Sequence, residues 1–541
     1  MRAALAVALV AAACAPPDRA PSWKGAGATT PRRGGTLRIA LKDSISTLDP
    51  TIAYDESSAI ALRTLFETLL DYAPGSTTLV PRIAERWELS ADASTYTFWL
   101  RPTVRFSDGT PIVAADIKYS LERALTTPDS PFGQFLADVV GAADVLAGKT
   151  TDCSGITAPS DHLLVIRLAH PNAGFAYVMA MPFTTPQRAA HVAKHGDQLR
   201  RVPLATGPYA LATWDEGVRF AVVRNTVYGG TQPAYLDGLV MRENIPRDTQ
   251  FLLFERGEID SVDRPSAPDH LWVASQPAWA PYVHTRPLLV SYGARFDVTQ
   301  PPFTDRRVRQ AFNYALDKSH TTKLLANTSV PSHGILPPGV PGRDESLAPY
   351  PHDVAKARAL LADAGFANGL SVTFVTLADE EAEKIAASMQ GDLAEAGIAM
   401  TISLVPFATY VSSIGKRGGP AFAFTGWLGD SPDPTNFLDV KFHSRGTTGE
   451  VATNDAFYVN GELDAILDAA KADPDPSSRS ARYRRAEQIL YADAPWLWNY
   501  HQAVVEVTQP YLRDYEPHPV WVRDFNTAWL DLGPGGERIE R

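Results

Sequence analysis

At 541 residues the chain exceeds the roughly 250–300 residues at which a single hydrophobic core stops growing, so it holds more than one. Its 45% hydrophobic and 21% charged residues are those of an ordinary globular protein. The balance of 50 basic against 61 acidic residues, formally −11, argues against nucleic-acid binding, which needs a basic surface for phosphates.

The first element is an address. Arg2 precedes an apolar run over residues 3–13, too short to span a bilayer and laid out as a secretory signal. Val10-Ala11-Ala12-Ala13-Cys14 resembles a lipobox in which Cys14 is acylated, although Ala11 stands where Leu is usual. Plain cleavage after the small residues is the other reading. Residues 14–33, rich in Pro, Gly, Ala, Ser and Thr, suit a flexible tether. Cys153 is the only other cysteine, so no disulfide framework is expected, and a small buried apolar role is expected for it.

Residues 36–42 read as a strand, followed by Leu48-Asp49-Pro50, Tyr54 and Asp55. Residues 57–70 read as a helix with Leu62, Leu65, Phe66 and Leu69 on one stripe. The stretch YTFWLRPTVRFSDGTPIVAADIKYSLE, residues 96–122, reads as strand, tight turn and helix: Phe98 and Leu100 alternate with Thr97 and Trp99, Ser107-Asp108-Gly109 turns, and Ile117, Leu121 and Ala124 share a helical face. Val218, Phe220 and Val222 alternate as a strand. The second half has an α/β rhythm: a helix from about residue 353 to Gly365, a strand over 371–375, a helix over about 380–396 stopped by Gly397, and a strand over 399–404. Asp379, Glu380 and Glu381 read as dipole-favoured surface at the start of that helix. Residues 422–425 read as a short strand leading into Trp427-Leu428-Gly429-Asp430-Ser431-Pro432-Asp433-Pro434.

No H-E-x-x-H, G-x-S-x-G or C-x-x-C motif is present. His191 and His195 share a helical face, but Lys194 lies between them and no third ligand is near, so exposed surface is expected. The Walker-like stretch over residues 143–150 lacks its first Gly and reads as a helix ending at Gly148.

The 96–122 stretch resembles the most recognisable segment of the bacterial extracellular solute-binding proteins of family 5, the peptide, oligopeptide and nickel binders that feed ABC importers. Seven further matches stand in the family's order: Leu48-Asp49-Pro50, Leu65-Phe66-Glu67-Thr68-Leu69, Pro81 to Trp87, Thr206-Gly207-Pro208-Tyr209, Pro302 to Ala311, Leu360 to Gly365, and Trp427 to Pro434. The resemblance implies an α/β fold: a two-lobed periplasmic binding protein of type II, with hinged lobes and an extra α/β domain inserted in the first lobe. Lobe I would comprise residues 34–54, 172–285 and 503–541, the inserted domain 55–171, and lobe III 286–502.

The same resemblance places Asp430 where peptide-binding members pair an Asp with the ligand's α-ammonium; a turn-capping Asp is the alternative. Trp427 reads equally as a cleft wall or a core residue. Tyr54 and Asp55 stand where the family adds an extended peptide by backbone contacts, or form a plain loop. Tyr292 begins a stretch similar to the family's strand near the hinge, with Asp297 in place of its usual Asn. Asp433, Tyr209 and Arg309 read as structural. The Arg that dipeptide binders place after the 371–375 strand is replaced by Thr376-Leu377-Ala378, which disfavours a short peptide held at both ends.

The implied function is capture of a peptide or related cationic solute between closing lobes and delivery to ABC permease subunits. No catalytic residue, metal or cofactor is expected, and the expected form is a periplasmic monomer, membrane-anchored if Cys14 is acylated. An exported hydrolase and a ligand sensor without an importer are the alternatives.

Overall fold

The computed structural model describes residues 20–540. Cys14 and the signal segment lie outside them. Residues expected as a free tether are pinned from the early twenties onward. Trp23–Lys24 pairs with Ile539–Glu540, Ala26 N–H donates to the Asp531 carbonyl (3.0 Å), and the N–H groups of Gly27 and Ala28 donate to the Asp531 carboxylate at 3.0 and 3.1 Å. Backbone donors with fixed acceptors override a composition suited to flexibility.

One four-stranded sheet runs Thr36–Ala40, Gly238–Arg242, Arg219–Arg224, Tyr209–Asp215, with the first pair parallel. Leu37, Ile39, Leu239 and Met241 bury one face against Ile60, Leu62 and Leu65 of the helix Glu56–Leu65. Tyr511, Phe525 and Leu530 from the end of the chain complete that core. The strand begins after Val218, which is 66% exposed, and Phe220, Ala221 and Val222 are all buried, so strict alternation fails there.

The expected helix over 57–70 stops at Leu65. Phe66 turns extended, and the Leu65 carbonyl accepts the N–H groups of Thr206 (3.1 Å) and Gly207 (2.8 Å) from the Thr-Gly-Pro-Tyr turn. Leu69 leaves the helix stripe, and Leu70–Tyr72 forms a short strand with Leu79–Pro81.

A second sheet, Ala84–Leu89, Thr95–Leu100, Leu163–Arg167, Ile156–Ser160, lies wholly between residues 84 and 167. Tyr96, Phe98 and Leu100 face inward onto Ile117, Leu121 and Ala124 of the helix Ala114–Thr126. Gly109, at φ +86°, makes the turn before that helix. Cys153 is fully buried in this core.

The largest sheet joins the two halves. Its order is Ser261–Asp263, Trp496–Thr508, Val283–Phe296, Phe422–Leu428, Leu370–Leu377, Ile398–Val405, with Ser329–Pro331 also on Trp496–Thr508. Val283–Phe296 and Trp496–Thr508 are long antiparallel partners. At one end Val283 faces Val507 beside the first lobe; at the other Arg295 faces Trp496 within the second. Their pairing shifts register between Pro287 and Ser291, where proline removes a ladder donor. The α/β rhythm beyond them is as expected: Asp353 and Asp379 cap the helices Val354–Asp363 and Glu380–Glu395, and Gly365 and Gly397 follow them at φ +94° and +85°.

Candidate functional site

The strand Phe422–Leu428 leaves its sheet at Gly429. A side chain there would strike the Phe437 ring at 2.3 Å, so glycine is required for the turn. Asn436 then fixes the loop from inside: its Oδ1 accepts the Asp430 N–H at 3.0 Å and the Trp427 indole N–H at 3.4 Å. The half-buried Asp430 carboxylate projects toward the opposite lobe, where the Tyr54 hydroxyl donates to it. Tyr54, 59% exposed, is steadied by an edge-to-face contact with Phe132 at 5.6 Å. Burial, and then the Asp430 carboxylate, push the Tyr54 phenol above its ordinary value. Among the described residues no Lys, Arg or His forms an ion pair with Asp430.

Asp433, three residues on, is structural. It is buried, caps Thr435, and receives the buried Arg479 guanidinium on both oxygens at 2.9 and 2.7 Å. Trp427 is half-buried against the lobe III core, with the Lys441 ammonium 5.7 Å from its ring. Lys441, itself paired with Asp455 at 3.1 Å, was not foreseen, because a separate short helix carries it there.

Asp55 does not join Asp430. Its carboxylate accepts the Ser58 N–H (2.8 Å) and the Ser46 hydroxyl (2.5 Å), capping the helix that follows. Tyr292 lies in an aromatic row, 5.7 Å from Phe424 and 5.3 Å from Tyr500, over Gly426. Asp297 closes a turn through Thr299 and Gln300. Arg309 is buried and donates to the carbonyls of Phe303, Asp493 and Ala494. Tyr209 is fully buried.

A serine–histidine pair does exist. Ser291 Oγ lies 2.8 Å from His501 Nδ1, but it donates to the Ile335 carbonyl at 2.6 Å, while His501 Nε2 faces the Arg343 guanidinium at 3.3 Å. That network assigns the His501 proton to Nδ1, donating toward the serine, the reverse of a general base. Burial, then Arg343 and His333, hold this imidazole well below its ordinary value. Both residues are buried away from the surface. His191, on an exposed helix, donates from Nε2 to the Val202 carbonyl at 2.8 Å. Among the described residues no cluster of His, Cys, Asp and Glu is arranged to hold a metal ion.

A family model for bacterial extracellular solute-binding proteins, family 5 Middle, matches residues 78–449, more than half of the chain. The chain belongs to this family. The solute-binding protein is 28% identical over 489 residues to di/tripeptide-binding protein 2 of Pseudomonas aeruginosa, covering 86% of this chain and 89% of that one. Its structure matches the unliganded open form of MppA, a periplasmic murein tripeptide-binding protein, with a TM-score of 0.83, 25% identity and coverage of 94% and 98%. It matches the periplasmic binding protein DppA from Helicobacter pylori, in complex with the peptide STSA, with a TM-score of 0.70, 25% identity and coverage of 92% and 99%. Both agreements span the whole two-lobed architecture of this solute-binding protein. Among its described residues no helix is long and apolar enough to cross a membrane.

Proposed function

We propose that this protein is the exported peptide-capturing component of an ABC importer. One observation carries the reading: a half-buried carboxylate, Asp430, at the carboxyl end of a sheet strand, faces the other lobe with a neutral phenol and, among the described residues, no cation as its partner. A ligand α-ammonium supplies the missing charge. Enclosure on closing strengthens that pairing by excluding water. Trp427 and Tyr54 wall the ammonium, and Tyr292 lies farther along the lobe III face. The names of the relatives, a di/tripeptide binder and a peptide complex, support the ligand class. The better agreement with an unliganded open form than with a peptide complex supports reading this structure as the ligand-free arrangement.

In this reading lobe I is residues 34–54, 172–285 and 503–541, the inserted domain 55–171, and lobe III 286–502. Closure is a hinge motion at the two long strands, biased by better ligand contacts in the closed state. Thr376-Leu377-Ala378 provides no guanidinium for a peptide carboxylate, so the carboxyl end is not held there. The protein acts as a monomer, delivers its cargo to permease subunits, and is held at the membrane by acylated Cys14. No catalytic step is involved.

Incubation with a mixture of short peptides tests binding against hydrolysis. Peptides retained with unchanged mass, together with a raised melting temperature, are expected. New fragments would overturn the reading in favour of an exported hydrolase.

A further inference from the structure

A cavity of about 20 Å³ lies in lobe III, where the strand Leu370–Leu377 ends and the helix Glu380–Glu395 begins. Thr376, Ala382, Phe424 and Tyr500 are among its walls. A space of that size holds one water, and an ammonium group is no larger. The carboxyl ends of strands are where α/β lobes hold polar ligands. No Lys, Arg or His is among the walls.

Two hydroxyls at the wall go unanswered. Tyr500 is 6% exposed and Thr376 1%, yet neither hydroxyl has a hydrogen-bond partner among the described residues. Neither oxygen is sealed in; each keeps a little accessible surface where the cavity meets it. Buried hydroxyls without partners are costly, so a hydrogen-bonding occupant is called for. The surrounding charge sets its sign. Asp379 already caps the helix, accepting the Ala382 N–H at 2.9 Å, so the helix start makes no demand for an anion. Glu380 pairs with Lys384 at 2.6 Å. Glu381, next to Ala382, has no ion pair among the described residues. Partial burial, then the Asp379 carboxylate, push the Glu381 carboxyl above its ordinary value, which a nearby cation would reverse. Its charge reaches the aromatic row: after burial it raises the Tyr292 phenol, and after burial and Tyr292 it raises that of Tyr500.

We propose that this cavity is a lysine-selective subsite for a captured peptide: the side-chain ammonium donates to the Thr376 and Tyr500 hydroxyl oxygens, with Glu381 as its counter-charge. Tyr292, its ring 5.3 Å from that of Tyr500, adds a face for the cation. An ammonium is a compact point charge that the space accepts, whereas the planar guanidinium of arginine is too broad for it. The inference rests on the peptide-capture reading. Phe424, at the cavity, stands six residues before Asp430, at most roughly 20 Å along an extended strand. With its amino terminus on Asp430, the peptide therefore presents a lysine a few residues farther on.

Calorimetric titration of the full protein tests this with the tetrapeptide Ala-Ala-Lys-Ala, its arginine and norleucine counterparts, and n-butylamine. The lysine peptide is expected to bind at least tenfold tighter than either counterpart. In Glu381→Gln and in Tyr500→Phe, its preference over the norleucine peptide should fall below threefold. Should Tyr500→Phe fold poorly, Glu381→Gln decides alone, since Glu381 is a surface residue. Equal affinity for the lysine and norleucine peptides overturns the subsite, leaving capture intact and water as the occupant. A lysine preference untouched by Glu381→Gln also overturns it, by placing the contact elsewhere. If none of the three peptides binds, the capture reading itself fails, and the cavity is judged on butylamine. Butylamine binding that is lost in Glu381→Gln keeps it as an amine site, and no butylamine binding overturns it.

Discussion

Asp430→Asn should weaken binding of a free-amine peptide at least tenfold, while the melting temperature of the empty protein stays nearly unchanged. Removing one partner of an enclosed, hydrogen-bonded charge pair costs about 2–5 kcal/mol, because the other charge is left without compensation. In the empty protein Asp430 touches only a largely exposed tyrosine and its own loop, so little stability depends on its charge. An N-acetylated peptide should bind wild type and variant alike. Asp433→Asn should show the reverse profile, with lower stability and retained affinity, since it strips the buried Arg479 of its carboxylate. Calorimetry on both variants with the free and acetylated peptide decides. Equal affinity of wild type and Asp430→Asn for the free-amine peptide would remove Asp430 from the site.

The second large effect is on stability against pH. Glu67 is 1% exposed; its Oε1 accepts the Tyr228 hydroxyl and its Oε2 has no partner. Burial raises its carboxyl from an ordinary 4.5 to about 7, against the opposing pull of Tyr228 and Arg82. The folded chain therefore holds this proton more tightly than the unfolded chain. Below about pH 4.5 both states are protonated and Glu67 has no effect on the balance. As pH rises from there to 7, the unfolded state releases the proton first, and Glu67 lowers stability by about 3 kcal/mol. Glu67→Gln keeps the shape without the charge. Denaturation followed from pH 4.5 to 7.5 should show the variant gaining on wild type by about that amount at the upper end. Parallel curves would mean that Glu67 does not titrate in this range.

Much of the architecture was legible because its causes are local. Alternation in Thr95–Leu100, the Asp108-Gly109 turn and the stripe of Ile117, Leu121 and Ala124 all act within a few residues of each other. The same holds for the caps Asp353 and Asp379 and for the glycines that follow each helix. The helix over 57–70 was overrun because its stop signal comes from Thr206 and Gly207, remote in sequence. At the site, family wording picked out Asp430 and Trp427, and Asn436 lay within the same segment. The meeting of Asp430 with Tyr54 spans 376 residues, and nothing in either local stretch announces it. Asp55 was placed at the cleft by its neighbour in sequence, whereas an Asp three residues before the Ser58 amide is the ordinary signature of a helix cap. Tyr292 shares a sheet with the site but turns to a row of aromatics. Arg479 and Lys441 arrive from other helices, so only the folded chain shows that Asp433 is paired with an arginine, whereas Asp430 has no ion pair among the described residues.

In the proposed mechanism two lobes close over a peptide. Small-angle X-ray scattering during titration with a free-amine peptide tests it most directly. The radius of gyration should fall as the peptide binds and saturate with the calorimetric isotherm, and Asp430→Asn should need more peptide to reach the same compact form. A profile that stays unchanged while calorimetry records full occupancy would contradict it.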